Sequence, residues 1–330
     1  MKCLYCGKEI NSSSIEEIQN KWHDICIKRF FGVKKLPDID VNEEKLFQIA
    51  IENSNKGLTV PGVQKKLSLY LINDQSPRLT AVNYPNGYIL KPQTKEYELL
   101  PECEYLVMQM ANATKIKTVP FALIEINKET KELAYITKRI DRINLKSNLK
   151  TNINIINKLA MEDFCQLDNK LTEDKYKGSY ERCSKIIDKY SSNEGLDNAD
   201  LFLRIVFSFA VGNSDMHLKN FSLIETSFDS NQYHLSDAYD MLPVNVIMPN
   251  DKEELALTLN GKNRNLRRND FIKFGEHIGL NIKSIEKMLD KIISLKETYI
   301  KLCKESYLTE ELKERFINLI NNRISRISIY

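Results

Sequence analysis

The chain has 330 residues, of which 48 are Lys or Arg and 45 are Asp or Glu, so its formal net charge is +3. A charge this close to neutral gives no sign of the basic surface that marks nucleic-acid-binding proteins. No apolar run reaches the roughly 18 residues of a membrane-spanning helix, and no signal-peptide pattern opens the chain. Seven cysteines follow no disulfide framework. We therefore expect a soluble, cytoplasmic protein with reduced thiols and no membrane partner.

Two pairs of metal-binding residue types lie near the N-terminus. Cys3 and Cys6 form a CxxC pair, and His23 and Cys26 form a second pair. A CxxC turn brings two thiolates to one ion, and a second pair beside it completes the tetrahedral site typical of structural Zn²⁺. So short a segment cannot bury a core alone, and a metal would supply the missing stability. Residues 1–35 therefore predict a zinc-ribbon-like module; the alternative is a reduced module whose buried thiols pack as apolar fillers.

Residues 36–56 are polar and predict a connector with one amphipathic helical patch around Leu46. The lobe that follows, residues 57–142, opens with a loop that contains a single glycine. After this loop, apolar and polar residues alternate from Leu67 to Ile72, which is typical of a hairpin whose loop covers phosphates. The loop matches neither Walker A nor G-x-G-x-x-G, so an ordinary hairpin turn is the alternative.

A second short strand is predicted to end at Lys91, and a helix from about Glu98 to Ala113 follows it. A strand lysine that pairs with a helix glutamate can bridge the α- and β-phosphates of a nucleotide. The helix offers Glu102 and Glu104, and Glu104 is preferred because it lies on the inward side. The alternative is that both glutamates only complement the helix dipole in its first turn.

An apolar hairpin over residues 120–126 and 133–137 leads into a charged connector that contains Lys138, Arg139 and Ile140. A connector between a β-rich lobe and a helical lobe is where a kinase hinge binds adenine through its backbone. A charged surface loop is the alternative.

The second lobe, residues 143–330, is predicted to be mainly helical from Ala160 onward. Asp200 is expected to cap an apolar helix that ends at Gly212. The next residues place a carboxylate, an ammonium group and a carboxamide close together, at Asp215, Lys219 and Asn220. An Asp can accept a hydroxyl proton, a Lys can neutralise a migrating phosphoryl group, and an Asn can hold Mg²⁺. Polar clusters also occur as helix caps and solvated loops.

Two short strands are predicted at residues 221–224 and 233–236, and two aspartates follow them. A kinase places its second Mg²⁺ ligand after such a hairpin. Asp240 is preferred because apolar residues follow it, whereas Asp237 could form a turn. The pieces thus occur in kinase order along the chain.

On these residues the chain resembles the HipA-type toxin kinases of bacterial toxin–antitoxin systems. The D-x-H-x-K-N loop and the string E-D-F-C-Q carry most of the resemblance. The matching stretches are residues 59–66, 89–92, 138–142, 161–166, 179–181, 213–221, 238–240 and 255–261. The resemblance implies an ATP-dependent serine/threonine protein kinase with an α+β, two-lobed, protein-kinase-like fold.

The resemblance also implies a role for each matching residue. Asp215 would be the catalytic base and Lys219 the charge stabiliser. The nucleotide site would comprise Pro61, Gly62, Val63, Gln64, Lys65, Lys66, Lys91 with Glu104, the hinge residues Lys138, Arg139 and Ile140, and the lining residues His217 and Tyr239. Asn220 and Asp240 would hold Mg²⁺. A packing role for His217 and Tyr239 is the alternative.

Regulation and partners are likewise implied by the resemblance. The family usually carries a phosphorylatable serine where this chain has Thr59, so autophosphorylation is expected there, while Pro61 replaces a second hydroxyl of some relatives. Few residues precede the loop, so the chain looks like the shorter, HipT-like members. We then expect a helix-turn-helix HipB-like antitoxin, a small HipS-like protein, DNA contact only through the antitoxin, and an aminoacyl-tRNA synthetase as substrate.

Two other functions are compatible with the sequence. The first is a catalytically silent pseudokinase that serves as scaffold or co-repressor, which the presence of Lys91, Asp215, Asn220 and Asp240 disfavours. The second is a small-molecule phosphotransferase, a class that shares the D-x-H-x-x-N arrangement but lacks the E-D-F-C-Q string.

Overall fold

The structure is a computed structural model that describes residues 1–11, 14–40, 66–73, 76–81, 87–127, 129–145 and 155–328. The chain divides into two compact units. One comprises Met1–Tyr105 and Val119–Arg142, and the other comprises Leu106–Thr118 and Ile143–Tyr330. None of the helices in the described part of the chain combines the length with the apolar character that crossing a bilayer demands.

A small module with two short helices opens the first unit. Helix α1 spans Ile15–Asn20 and α2 spans Asp24–Phe31. The core of the module is aromatic: the rings of Trp22 and Tyr5 stack at 5.7 Å, and Phe30 and Phe31 pack against Trp22. The same two phenylalanines contact Tyr88 of the sheet described next. The module therefore packs onto the sheet of the first unit through aromatic side chains.

A six-stranded sheet forms the centre of the first unit. Strands β1–β6 are Asp38–Asp40, Leu67–Ile72, Arg78–Ala81, Tyr88–Lys91, Phe121–Asn127 and Glu132–Lys138. Their order is β1-β3-β2-β4-β6-β5. All pairs are antiparallel except β1 with β3. The predicted hairpin strands are confirmed: β2 begins with alternating burial at Leu67 and Leu69, whereas β5 and β6 each bury four consecutive residues.

Two predictions for this part of the chain need comment. Strand β1 lies within the segment predicted as a connector, and the sequence gives no sign of it because three residues are too few for a periodic pattern. The helical patch around Leu46 and the loop residues Thr59 to Lys65 lie outside the described residues.

Helix α3, Leu100–Ala113, contributes residues to both units. In the second unit, the helices α4–α11 are Phe164–Leu167, Tyr180–Tyr190, Glu194–Val211, Val244–Ile247, Arg268–His277, Ile282–Ser294, Lys296–Lys304 and Glu310–Ile327. Strands β7–β11 are Arg142–Leu145, Ile155–Lys158, Met161–Asp163, Ser222–Glu225 and Tyr233–Leu235. Strand β10 lies between β9 and β11 and is antiparallel to both.

Helix α6 is the buried helix predicted from the apolar stripe, but its predicted start is wrong. The helix begins at Glu194, with Asn193 in the N-cap position, so Asp200 lies within it. There the Asp200 carboxylate pairs with Arg204 one turn later, at 2.5 Å, and an i,i+4 ion pair suits a helix interior. The predicted end is confirmed: Gly212 has φ 71° and closes the helix through hydrogen bonds from its N–H to Phe209 and Ser208 carbonyls.

Candidate active site

The segment Asn213–Asn220 leaves the C-terminus of α6 as a tightly hydrogen-bonded loop. The N–H of Asn213 donates to the Ser208 carbonyl, and the N–H of Asp215 donates to Asn213 Oδ1 at 3.3 Å. Asn220 Nδ2 donates to the Asp215 carbonyl at 2.8 Å. This last bond closes the loop and orients the Asn220 carboxamide, so that its Oδ1 atom is the group left to bind a cation.

The Asp215 side chain is 40% exposed, so it can reach a substrate. Tyr176 donates its hydroxyl proton to Asp215 Oδ1 at 2.6 Å, and His217 Nε2 lies 4.0 Å from the same oxygen. The rings of Tyr176 and His217 meet edge to face at 5.0 Å. Burial and the hydrogen bond to Asp215 raise the pKa of Tyr176, so the phenol keeps its proton and donates it to the Asp215 carboxylate.

Lys219 is held by an aspartate from another element. Its Nζ lies 2.6 Å from Asp163 Oδ2, and the two side chains are 20% and 15% exposed. Asp163 ends β9 opposite Ser222 of β10, and its other carboxylate oxygen accepts the Gln166 N–H at the start of α4. Strand pairing and helix capping therefore fix the carboxylate that orients the Lys219 ammonium group.

Tyr239 connects the two chain segments that carry the residues predicted to bind Mg²⁺. Its hydroxyl donates to the Lys219 carbonyl at 3.1 Å. Since a hydroxyl has one proton, it must accept the bond from Ser222, whose Oγ lies 2.6 Å away. The residue before Asp240 is thereby tied to the residue before Asn220.

Asp240 itself has φ 58°, in the left-handed region that non-glycine residues seldom adopt. Strained backbone of this kind clusters at functional sites. Asp237, the competing candidate, is partly buried, and burial raises its pKa in spite of the nearby Arg204 and Lys117 charges. The buried setting of Asp237 disfavours its charged form, which is the form that binds a cation.

In the first unit, the structure joins Lys91 to Glu104. The Nζ atom lies 2.5 Å from Glu104 Oε1, and the two side chains are 4% and 0% exposed. Tyr135, which is directly opposite Lys91 on β6, places its ring 5.2 Å from the same ammonium group. Glu102 takes no part in this pair: burial raises its pKa to about 7, and its Oε2 atom accepts no hydrogen bond from the described residues.

The three predicted hinge residues lie at the end of β6: Lys138 is its last residue, and Arg139 and Ile140 follow it. The N–H of Lys138 donates to the Pro120 carbonyl and that of Arg139 to the Gly87 carbonyl, so neither is open to a base. The Arg139 side chain binds Asp141 through two nitrogens at 3.0 and 2.8 Å. Burial opposes ionisation of Asp141. The hydrogen bond from Arg139 and the charges of Arg139 and Arg142 outweigh the effect of burial, and together they lower the pKa of Asp141. The adenine-binding role predicted for this segment therefore has support neither from the Lys138 N–H nor from the Arg139 N–H.

The four predicted N-terminal ligands lie together. One donor atom from each of Cys3, Cys6, His23 and Cys26 falls within 4.8 Å of the others. The Nδ1 atom of His23 is 3.5 Å from Cys6 Sγ and 3.7 Å from Cys26 Sγ. His23 Nε2 lies 3.2 Å from the Glu9 carbonyl, which fixes the tautomer with Nδ1 free to bind a metal.

The charge balance of this cluster also suits a cation. Burial and then the neighbouring Cys3 thiolate raise the pKa of Cys26, so thiolates at this position need a positive charge to stabilise them. Three thiols and one imidazole at these separations form a donor set that can hold a metal ion.

Comparison with known proteins identifies the family. The model of the HipA-like C-terminal domain matches residues 58–298. The chain belongs to this family. A Haemophilus influenzae relative described as a putative kinase is 25% identical over 322 residues, which cover 89% of this chain and 88% of that protein. A Sinorhizobium fredii relative, putative kinase Y4dM, is 30% identical over 196 residues, or 56% of this chain and 44% of its own length.

Two solved structures share the family fold. One is the HipA, HipB and operator DNA complex of the Shewanella oneidensis toxin–antitoxin system, with a TM-score of 0.66, 17% identity, and coverage of 86% of this chain and 70% of that chain. The other is the proinflammatory kinase CtkA of Helicobacter pylori, with a TM-score of 0.52, 16% identity, and coverage of 79% and 93%. At these identities the likeness shows the fold, which is the predicted kinase-like one.

Two side chains at the site were not assigned roles from the sequence. Asp163 lies in the E-D-F-C-Q string, so the sequence singled out its position without a role. Its bond to Lys219 joins residues 56 positions apart. Tyr176 lies 39 residues from Asp215 and belongs to no motif. Of the predicted phosphate-covering residues, Lys66 is described and exposed, and Pro61 to Lys65 are not described.

Proposed function

We propose that this chain is an ATP- and Mg²⁺-dependent serine/threonine protein kinase. The observation that carries the proposal is the hydrogen-bonded loop that presents Asp215 to solvent beside Lys219 and Asn220. Phosphoryl transfer depends on positioning and on stabilisation of charge, and this loop provides groups for both. Membership of the HipA-like family supports the same reaction.

Each side chain has a distinct task in this reaction. Asp215 accepts the proton of the attacking hydroxyl, and Lys219, oriented by Asp163, stabilises the charge of the transferred group. Asn220 and Asp240 offer the oxygen ligands that Mg²⁺ prefers, and the bound ion would neutralise phosphate charge. Lys91, held by Glu104, binds the nucleotide phosphates.

We further propose that the kinase is the toxin of a toxin–antitoxin system in the cytoplasm. The likeness to a chain of a HipA–HipB–DNA complex supports a helix-turn-helix antitoxin as partner. The proposed substrate is an aminoacyl-tRNA synthetase, whose phosphorylation would stall translation. A HipT-like assembly with a small HipS-like protein, and DNA contact through the antitoxin alone, are parts of the same proposal.

Autophosphorylation at Thr59 is the proposed means of regulation. Thr59 lies outside the described residues, so the proposal rests on the family resemblance alone. Mass spectrometry after incubation with MgATP tests it directly. An active kinase with an unmodified Thr59 would refute it.

For the N-terminal cluster we propose a structural Zn²⁺ ion. Four protein ligands close the coordination shell, which is the arrangement of structural sites, whereas catalytic sites keep one position open. Metal analysis of the purified protein should find about one equivalent of zinc, and less than about half an equivalent would count against the site.

A growth test separates the proposed kinase from the two alternatives. Inducible wild type should arrest growth, Asp215→Ala should not, and radiolabelled ATP should label a protein band in cell extract only with wild type. Equal arrest by both variants would favour a pseudokinase scaffold. Arrest that requires Asp215 without any labelled protein would favour a small-molecule substrate.

A further inference from the structure

The contact between Tyr176 and Asp215 is short and comes from outside the predicted catalytic loop. Tyr176 lies between α4 and α5, just after a 3-10 turn at Thr172–Asp174. At 2.6 Å, its bond to Asp215 Oδ1 is in the range of charge-assisted hydrogen bonds between a hydroxyl and a carboxylate. Tyr176 is 48% exposed, so the contact is not a consequence of deep burial.

The segment that carries Tyr176 is fastened to the catalytic loop. The Lys175 carbonyl accepts the Leu218 N–H at 3.1 Å, and the Gly178 carbonyl accepts the Thr258 Oγ1 proton at 3.3 Å. Tyr180, two residues further on, donates its hydroxyl to the Met216 carbonyl at 3.1 Å. Tyr176 therefore belongs to the same framework as Asp215 and does not lie on a separate arm that could swing away.

A carboxylate that acts as a base must present one oxygen to the acceptor hydroxyl. The terminal torsion of an aspartate side chain takes a broad range of angles. The carboxylate therefore keeps one orientation only if its other oxygen is held by a fixed partner. Tyr176 supplies that partner at Oδ1, and the Asn220 bond to the Asp215 carbonyl holds the backbone below it.

We infer that Tyr176 is a positioning residue whose hydroxyl holds Asp215 Oδ1 and turns Oδ2 toward the acceptor hydroxyl. The inference rests on the proposed kinase function. Its rival is that the phenol occupies the place of the acceptor and blocks the base. The two roles predict opposite effects when the hydroxyl is removed, and the fastened segment favours positioning.

The test is Tyr176→Phe, which deletes the hydroxyl and keeps the ring against His217. Phosphotransfer from MgATP to dephosphorylated casein, with ADP release measured in parallel, gives kcat and KM. We expect kcat to fall about tenfold or more, the worth of one charge-assisted hydrogen bond, and KM for MgATP to stay within about twofold. Loss of kcat at constant KM is the signature of an interaction that acts on the chemical step.

Tyr190→Phe is the matched control, because Tyr190 ends α5 and, among the residues that the structure describes, its hydroxyl has no hydrogen bond to a proposed catalytic residue. It should leave kcat unchanged. An unchanged or increased kcat in Tyr176→Phe would overturn the inference, as would a rise in KM that accounts for the whole loss, or an equal loss in the control. If wild type labels neither casein nor a protein of the cell extract and releases no ADP, the proposed kinase function itself fails.

Discussion

Gly212 joins α6 to the proposed catalytic loop, and Gly212→Ala should disturb the geometry of that loop. The residue closes α6 with φ 71° and immediately precedes Asn213. A Cβ atom built there would lie 2.8 Å from Leu319 Cδ1 and 3.4 Å from Asn245 Cβ. The substitution therefore introduces both backbone strain and a steric clash.

The cost follows from these two effects. A left-handed conformation costs a non-glycine residue about 1–2 kcal/mol. A forced shift of a packed side chain such as Leu319 costs about 1–3 kcal/mol. Alanine recovers about 0.4–1 kcal/mol by restricting the unfolded chain. We expect the free energy of unfolding of the second unit to fall by about 2–4 kcal/mol, with a loss of phosphotransfer because Asp215 follows three residues later.

Urea unfolding monitored by far-UV circular dichroism measures this change, since the second unit holds most of the helices. The matched control is Gly195→Ala at the other end of α6, where an added Cβ meets no atom within 4 Å. There alanine should stabilise by about 0.5–1 kcal/mol. If Gly212→Ala unfolds within about 0.5 kcal/mol of wild type, the account of Gly212 is wrong.

Three further predictions concern separate parts of the molecule. Chelation, or Cys26→Ser, should remove the metal and lower the urea midpoint followed by fluorescence of Trp22, the only tryptophan in the chain. Burial raises the pKa of Glu102 from 4.5 to about 7. The free energy of unfolding is therefore greatest while Glu102 is protonated, and it falls by on the order of 3 kcal/mol as the pH rises between these two values. Glu102→Gln should remove this pH dependence. Asp163→Asn keeps an N-cap for α4 but releases Lys219, so kcat should fall about tenfold without loss of stability.

Each of these predictions has its own control. For the metal site, Cys103→Ser changes a buried thiol outside the cluster and should leave the metal content unchanged. For the pH dependence, Glu98→Gln at an exposed position should leave the change of unfolding free energy with pH as in wild type. The same pH dependence in Glu102→Gln would contradict the assignment of this change to Glu102. For Lys219, a stable Asp163→Asn variant with wild-type kcat would show that the ion pair does not assist catalysis.

Local patterns were sufficient for the elements that carry the site. Alternation from Leu67 to Ile72 and the apolar run before Gly212 each depend on neighbours along the chain, and they predicted the strand at its observed bounds and the end of α6 at Gly212. The start of α6 was not, because an aspartate that suits a cap also suits the interior when Arg204 follows one turn later. Composition and spacing also marked the four N-terminal ligands, which the fold brings together.

The sequence by itself determined the order of the motifs, the residue types available for chemistry and the family to which the chain belongs. Only the tertiary structure decided two partners, Tyr176 for Asp215 and Asp163 for Lys219, whereas helical spacing alone already favoured Glu104 over Glu102 for Lys91. The reason is physical. The residue type at one position determines the chemistry of its side chain. The hydrogen bonds that orient this side chain depend on backbone pairings between residues tens of positions apart, and no local sequence pattern specifies those pairings.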